Sequence, residues 1–287
     1  MLDFKIVKTT MNKEKHLIDM IDLYEQHQPK YTAFDTETTG LHIISDVPFL
    51  FQLGWITDHT SYTFVVDLEN KPTYANRVIN IWNNLVESAE YYAGHNVGYD
   101  VHMMKNININ MLHNNLIDTT ACIRLAHDNI PARHGGVSLG LKNYANKFID
   151  KSAKMHDKKL QRERSSIAKE LNKKLQNRFK ATSDSTVPDE HNSWTVKAIQ
   201  EITKSITFLP EDLGDPELTE AYQNWLNKDL REQISNIVQG RVSRSDVPYN
   251  LLDRDNVIKY GHMDIVFTLA ILNKTLPVVE KRDNFET

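Results

Sequence analysis

The chain holds a single cysteine, Cys122, in 287 residues. No internal disulfide framework is possible, and the sequence suits a reducing compartment. The plain reading of a lone thiol is a small buried apolar residue. Long apolar runs are scarce as well: none approaches the roughly 18 residues that a membrane span requires, and the first ten residues hold no apolar core of signal-peptide length. These absences lead to the expectation of a soluble chain in the cytoplasm, without a membrane partner. Histidines and cysteines do not fall into zinc-ligand spacing, and Gly135-Gly136 lacks the pattern of a phosphate-binding loop and reads as a turn. Nor is there an excess of positive charge. The formal net charge is -4, so a polyanionic partner would need a local cationic surface.

What is present is ordinary globular material, 40% hydrophobic and 25% charged, long enough for one large or two small domains. Alternation over residues 4 to 8 predicts a strand. Leu17, Ile18, Ile21, Leu23 and Tyr24 recur at helical spacing within residues 12 to 27, and Pro29 closes that helix. Residues 31 to 37, 48 to 57 and 61 to 68 read as three successive strands in an antiparallel meander, with Phe49, Phe51, Leu53 and Trp55 on one face. A helix over 77 to 88, a strand over 91 to 93, and a short strand over 115 to 118 with a helix through Leu125 return the chain to the sheet, which is a mixed α/β pattern. An amphipathic helix is expected over 138 to 148. A closing helix over 251 to 281 is expected to be capped by Asp253 or Asp255 and interrupted near Pro277.

Between those two helices the composition changes. Residues 151 to 180 carry Lys158, Lys159, Arg162, Arg164, Lys169, Lys173 and further basic residues against few acids. Residues 181 to 190 are polar and loop-like, and 211 to 220 are acidic. Residues 151 to 245 therefore read as a charged, mainly helical insertion in a domain formed by 1 to 150 and 246 to 287. The basic block is either a solvated helix or a nucleic-acid contact. Its only aromatic residue is Phe179, which favours attraction to a phosphate backbone over base stacking.

The chemistry gathers around Phe34-Asp35-Thr36-Glu37-Thr38-Thr39-Gly40. Side chains two apart on a strand share a face, so Asp35 and Glu37 point the same way and can hold a cation between them. A third acid, Asp100, lies in His95-Asn96-Val97-Gly98-Tyr99-Asp100, where a strand hands over to a helix. Taken alone, Asn96 or Asp100 would be read as a helix cap. Tyr260 and Asp264 are four apart on the closing helix and so share one face; a buried Tyr–Asp hydrogen bond is the plain alternative. Carboxylates from three separated segments suit hard divalent ions and two-metal phosphodiester hydrolysis.

Together the segments containing Asp35 and Glu37, Asp100, and Tyr260 and Asp264 resemble the three exonuclease motifs of the DEDD superfamily, in its tyrosine-bearing branch. They are most similar to the 3′-5′ proofreading exonuclease domain of family A DNA polymerases, viral members in particular. In the rival branch a histidine stands five residues before the last aspartate; here that residue is Lys259, and His262 is out of place for the role. The basic block has no counterpart in the resemblance.

The resemblance implies a ribonuclease H-like α/β fold and an enzyme that takes two ions, Mg²⁺ or Mn²⁺. Asp35 would bridge both ions, Glu37 and Asp264 would complete one site, and Asp100 would hold the second ion partly through water. Tyr260 would orient the attacking water. Leu41 would act as an apolar wedge against the terminal base, and Asn96 and Tyr99 would lie near the substrate strand. The implied partner is the 3′ end of single-stranded or frayed DNA, with a polymerase domain in cis or in trans. Two alternatives remain: a stand-alone RNA-trimming exoribonuclease, and a catalytically inactive nucleic-acid-binding or docking domain. The compartment implied for a viral protein is the host cytoplasm.

Overall fold

The computed structural model describes residues 4–182 and 241–282, apart from 42, 44, 45, 58, 70–76, 78, 81, 84–89, 112–114, 129 and 131. The chain forms two compact units. One comprises Met1–Glu37, Pro48–Lys158 and Arg254–Thr287, the other Thr38–Val47 and Lys159–Asp253.

The first unit is built on a mixed sheet. In chain order its strands are β1 (Lys5–Met11), β2 (Tyr31–Thr38), β3 (Pro48–Ile56), β4 (Thr60–Asp67), β5 (Tyr91–Gly94) and β6 (Leu116–Asp118), and across the sheet they run β1-β4-β3-β2-β5-β6. The expected meander places β2, β3 and β4 side by side, with β3 and β4 antiparallel. The first strand extends to Met11 and lies parallel to β4, and β5 lies parallel to both β2 and β6. The helices are α1 (Glu14–His27), α2 (Val97–Lys105), α3 (Thr119–Ala126), α4 (Leu141–Phe148), α5 (Lys154–Thr182) and α6 (Arg254–Arg282). This α/β arrangement, a six-stranded mixed sheet with flanking helices, is the ribonuclease H-like exonuclease fold.

Strand alternation explains how the sheet is covered. Phe34, Phe51, Leu53, Trp55 and Phe64 pack with Leu17, Met20 and Tyr24 of α1 and with Val101 and Met104 of α2. Neighbours one residue out of phase face the other way, where Ala33 packs with Ile265 and Leu269 of α6. Both faces of β3 are buried for that reason. A side chain at Gly54 would run into Ile265, so this glycine lets α6 lie close on β3. The wide burial of α6 also qualifies an expectation from the sequence. This helix is long and apolar enough to cross a membrane, but 72% of the stretch concerned is buried inside the protein, as in a core helix.

Two further expectations change. The closing helix is not interrupted at Pro277, which lies inside α6. The carbonyl that loses its partner there belongs to Asn273, which is exposed, so water can take the place of the missing N–H. The helix expected from residue 138 starts at Leu141, after an extended Gly140. Of the helix expected over 77 to 88, residues 77, 79, 80, 82 and 83 are described and are helical. The loop expected over 181 to 190, from residue 183 on, and the acidic stretch over 211 to 220 lie outside the described residues.

In the second unit, α5 buries Leu160, Ala168 and Leu171 and exposes Lys159, Arg162, Lys169 and Lys173 on the opposite face. Arg164 does not belong to the exposed set. Its guanidinium donates to the carbonyls of Val247 and Ser245, at 2.7 and 2.8 Å, and lies 4.8 Å from the ring centre of Tyr249. Asn172 pairs both ways with the backbone of Val242. In the same unit Thr39 Oγ1 donates to Asp46 Oδ1 at 3.0 Å and Thr39 N–H to the Val47 carbonyl at 3.1 Å.

Candidate active site

Strand β2 carries Asp35 and Glu37 on the face covered by α6, since they are in phase with Ala33 rather than with Phe34. Asp264 of α6 meets them there. One carboxylate oxygen from each of Asp35, Glu37 and Asp264 lies within 4.8 Å of the others. Glu37 and Asp264 are buried and Asp35 is half-buried. Such a set of close anionic oxygens fits a hard divalent cation.

Asp100 reaches β2 by another route. The pairing of β2 with β5 covers Tyr31 to Ala33 only, and beyond it the chain of β5 turns into α2. Thr36 N–H then donates to Asp100 Oδ1 at 3.0 Å, and Thr36 Oγ1 donates to the same oxygen at 2.7 Å. Asp100 is thus a buried clamp between α2 and the residue separating Asp35 from Glu37. The capping alternative is not realised for Asn96 either. It occupies the N-cap position in a left-handed conformation, φ 64°, with no side-chain cap bond. Its N–H donates to Asp118 Oδ1 at 3.0 Å. Asn96 is exposed and Tyr99 is half-buried.

Electrostatics bind the acids into one set. Burial pushes the Asp35 carboxyl up to about 7, against the pull of Lys142 and of the Thr36 N–H. Glu37 is raised by burial and then by Asp35, with Asp100 adding to it; Asp100 is raised by burial and by Asp35, with Thr36 opposing. Without a cation the cluster is short of positive charge.

Lys142 belongs to none of the motifs that spacing singles out, yet the fold brings it here. Helix α4 is fixed by buried Tyr144 and Ala145, and the Tyr144 hydroxyl meets His127 Nε2 at 2.9 Å. That anchorage turns Lys142 inward. Its ammonium pairs with Asp264 and lies 4.3 Å from the ring centre of Tyr260 and 5.2 Å from that of Phe267. Burial lowers it to about 8, against the attraction of Asp35, Glu37 and Asp157. The only hint in the sequence was a lysine inside an otherwise amphipathic helix. His95 supports the same region: it shares a 2.9 Å hydrogen bond with Thr119 Oγ1 and bonds the Leu139 backbone just ahead of α4.

Tyr260 is half-buried one turn before Asp264. Between them, Gly261 lets the helix pass Gln52 of β3: a Cβ there would fall 2.6 Å from Gln52 Nε2. His262 points elsewhere, 2.9 Å from Thr63 Oγ1, and burial with the nearby Lys8 lowers it to about 3. Lys259 is exposed. Leu41 belongs to the second unit, where its side chain is 85% exposed.

No curated protein matches the sequence. Among solved structures, Brucella melitensis NrnC bound to pGG is 14% identical, with 99% of this chain and 98% of that chain covered and a TM-score of 0.32. A structure described as the apo form of the nuclease is 16% identical, with 99% of both chains covered and a TM-score of 0.32. The family described as 3′-5′ exonuclease matches residues 9–174. That match spans more than half of the chain and takes in the segments that carry Asp35, Glu37, Asp100 and Lys142, and on this ground the chain belongs to the 3′-5′ exonuclease family.

Proposed function

We propose that this chain removes nucleotides one at a time from the 3′ end of single-stranded or frayed DNA, as the proofreading partner of a DNA polymerase carried in cis or in trans. The observation that supports this most is the convergence of Asp35, Glu37 and Asp264 from two distant segments to within 4.8 Å, in a family of 3′-5′ exonucleases. A scaffold has no use for buried acids that raise one another's proton affinity.

In this reading the three acids, with Asp100 beside them, would hold two divalent ions, Mg²⁺ or Mn²⁺. When bound, such ions neutralise charge on the phosphate and make water a better nucleophile at neutral pH. The chain's own groups do the rest. Tyr260, one turn from Asp264, accepts a hydrogen bond from the attacking water at its phenol oxygen and aims it at phosphorus. The water oxygen bonds to phosphorus as the bond to the preceding 3′ oxygen breaks. One proton of the water ends on the leaving 3′ oxygen, which becomes the hydroxyl of the shortened strand, the other passes to solvent, and a nucleoside 5′-monophosphate leaves. Leu41 supplies an apolar surface for the unstacked terminal base, and Asn96 and Tyr99 contact the strand.

Matched single-stranded DNA and RNA, each labelled at the 5′ end, test the reading together. It predicts a ladder of labelled DNA shortening from the 3′ end in Mg²⁺ and no shortening in EDTA. Faster loss of the RNA would favour an exoribonuclease instead. Persistence of both substrates with Mg²⁺ or Mn²⁺ would favour a binding or docking domain.

A further inference from the structure

We propose that Lys142 is a resident counter-cation of the carboxylate cluster, which a divalent ion must displace from Asp264 in order to load the site. The proposal rests on the reading of these acids as metal ligands. Carboxylates as close as Asp35, Glu37 and Asp264, two of them buried and one half-buried, repel one another unless a positive charge lies among them. The Lys142 ammonium provides that charge: its side chain is 11% exposed, it pairs with Asp264, and it is attracted by Asp35 and Glu37 of β2 and by Asp157 of α5. An oxygen of Asp264 cannot serve the ammonium and a hard divalent ion equally well, so the two compete.

Lysine is suited to giving way. Its charge is compact and sits on a flexible four-carbon stem, whereas an arginine would grip the carboxylate with two parallel bonds. The faces of Tyr260 and Phe267, with ring centres at 4.3 and 5.2 Å, continue to attract the ammonium once the carboxylate has been taken. The cluster is thus kept together when no ion is bound, and ion binding exchanges one cation for another instead of filling an open anionic hole.

The test uses the full chain and two substitutions. Lys142→Met keeps length and apolar volume and removes the charge; Lys142→Arg keeps the charge and strengthens the grip. Mn²⁺ affinity is measured by titration calorimetry, and Tm by thermal denaturation in EDTA and in saturating Mg²⁺. The expected result is about tenfold tighter Mn²⁺ binding for Lys142→Met, corresponding to about 1.4 kcal/mol of competition removed. Lys142→Arg should bind Mn²⁺ more weakly than the unaltered chain. In EDTA the Met variant should melt earlier than the unaltered chain, and in Mg²⁺ the two should coincide. Unchanged affinity in the Arg variant, or an equal loss of Tm in EDTA and Mg²⁺ for the Met variant, would make Lys142 a packing residue and overturn the proposal. If the unaltered chain neither binds Mn²⁺ nor gains Tm from Mg²⁺, the metal reading itself fails, and the proposal with it.

Discussion

Asp35→Asn in EDTA isolates what it costs the fold to keep its acids ionised. The carboxyl titrates near 7 in the folded chain instead of 3.8, so between those values the folded chain holds a proton that the unfolded chain has released. Stability contributed by this group therefore falls as pH rises from about 4 to about 7 and stays low above that. At about 1.4 kcal/mol per pH interval, the cost reaches at most about 4 kcal/mol at pH 8. Lys142 attraction is already contained in that figure, and an amide that cannot satisfy both of its N–H donors takes back about 1–2 kcal/mol. The net gain expected for the Asn variant at pH 8 is about 2 kcal/mol, or on the order of 5 °C in Tm for a chain of this size. At pH 4 the carboxyl is protonated in the folded chain and costs little, so only the amide penalty is left and the Asn variant should be the less stable of the two by about 1 kcal/mol. His262, lowered to about 3, has the opposite effect, losing stability as pH falls below its unfolded value, but it is present in both proteins and cancels in the difference. The assay is thermal denaturation of both proteins at pH 4, 6 and 8. A difference in Tm that is flat across pH, or largest at pH 4, would refute the claim that an ionised Asp35 is costly in the empty cluster.

Tyr260→Phe should lower kcat by about 10²- to 10⁴-fold while Mg²⁺-induced stabilisation survives; unchanged turnover at saturating Mg²⁺ would make the phenol a packing group. Gly261→Ala should cost about 1–3 kcal/mol, because the added methyl meets Gln52 between β3 and α6, and should reduce turnover by displacing Tyr260 and Asp264; a stable, fully active variant would contradict the close approach. Replacing Lys159, Arg162, Lys169 and Lys173 together by Gln should weaken binding of single-stranded DNA and reduce the log-log salt slope by about 0.7 per lost contact. An unaltered slope would return this face of α5 to a solvated role. Arg164 is left out of that set because its guanidinium holds the carbonyls of Val247 and Ser245.

The sequence was most legible where local spacing decides position. Asp35 and Glu37 share a face because strands alternate, and Tyr260 and Asp264 share one because helices turn. Asp100 was legible as an acid at a strand-to-helix junction, but its bond to Thr36 depends on β5 leaving β2 after Ala33, which no local pattern encodes. Lys142 went unread because α4 is oriented by Tyr144 against His127, the residue that ends α3, a contact between distant parts of the chain. Arg164 looked like one basic residue among many, since its partners lie some 80 residues away in sequence. Pro277 misled for the reverse reason: the local rule against proline in a helix yields where the orphaned carbonyl faces water.

Acids from β2 and α6 are expected to hold a divalent ion. Anomalous scattering from crystals soaked in Mn²⁺ measures this directly. A strong peak is expected among Asp35, Glu37 and Asp264, with Lys142 withdrawn from Asp264 and a second peak toward Asp100. A cluster free of anomalous density in an enzyme that is active under the same Mn²⁺ concentration, with Lys142 still on Asp264, would contradict it.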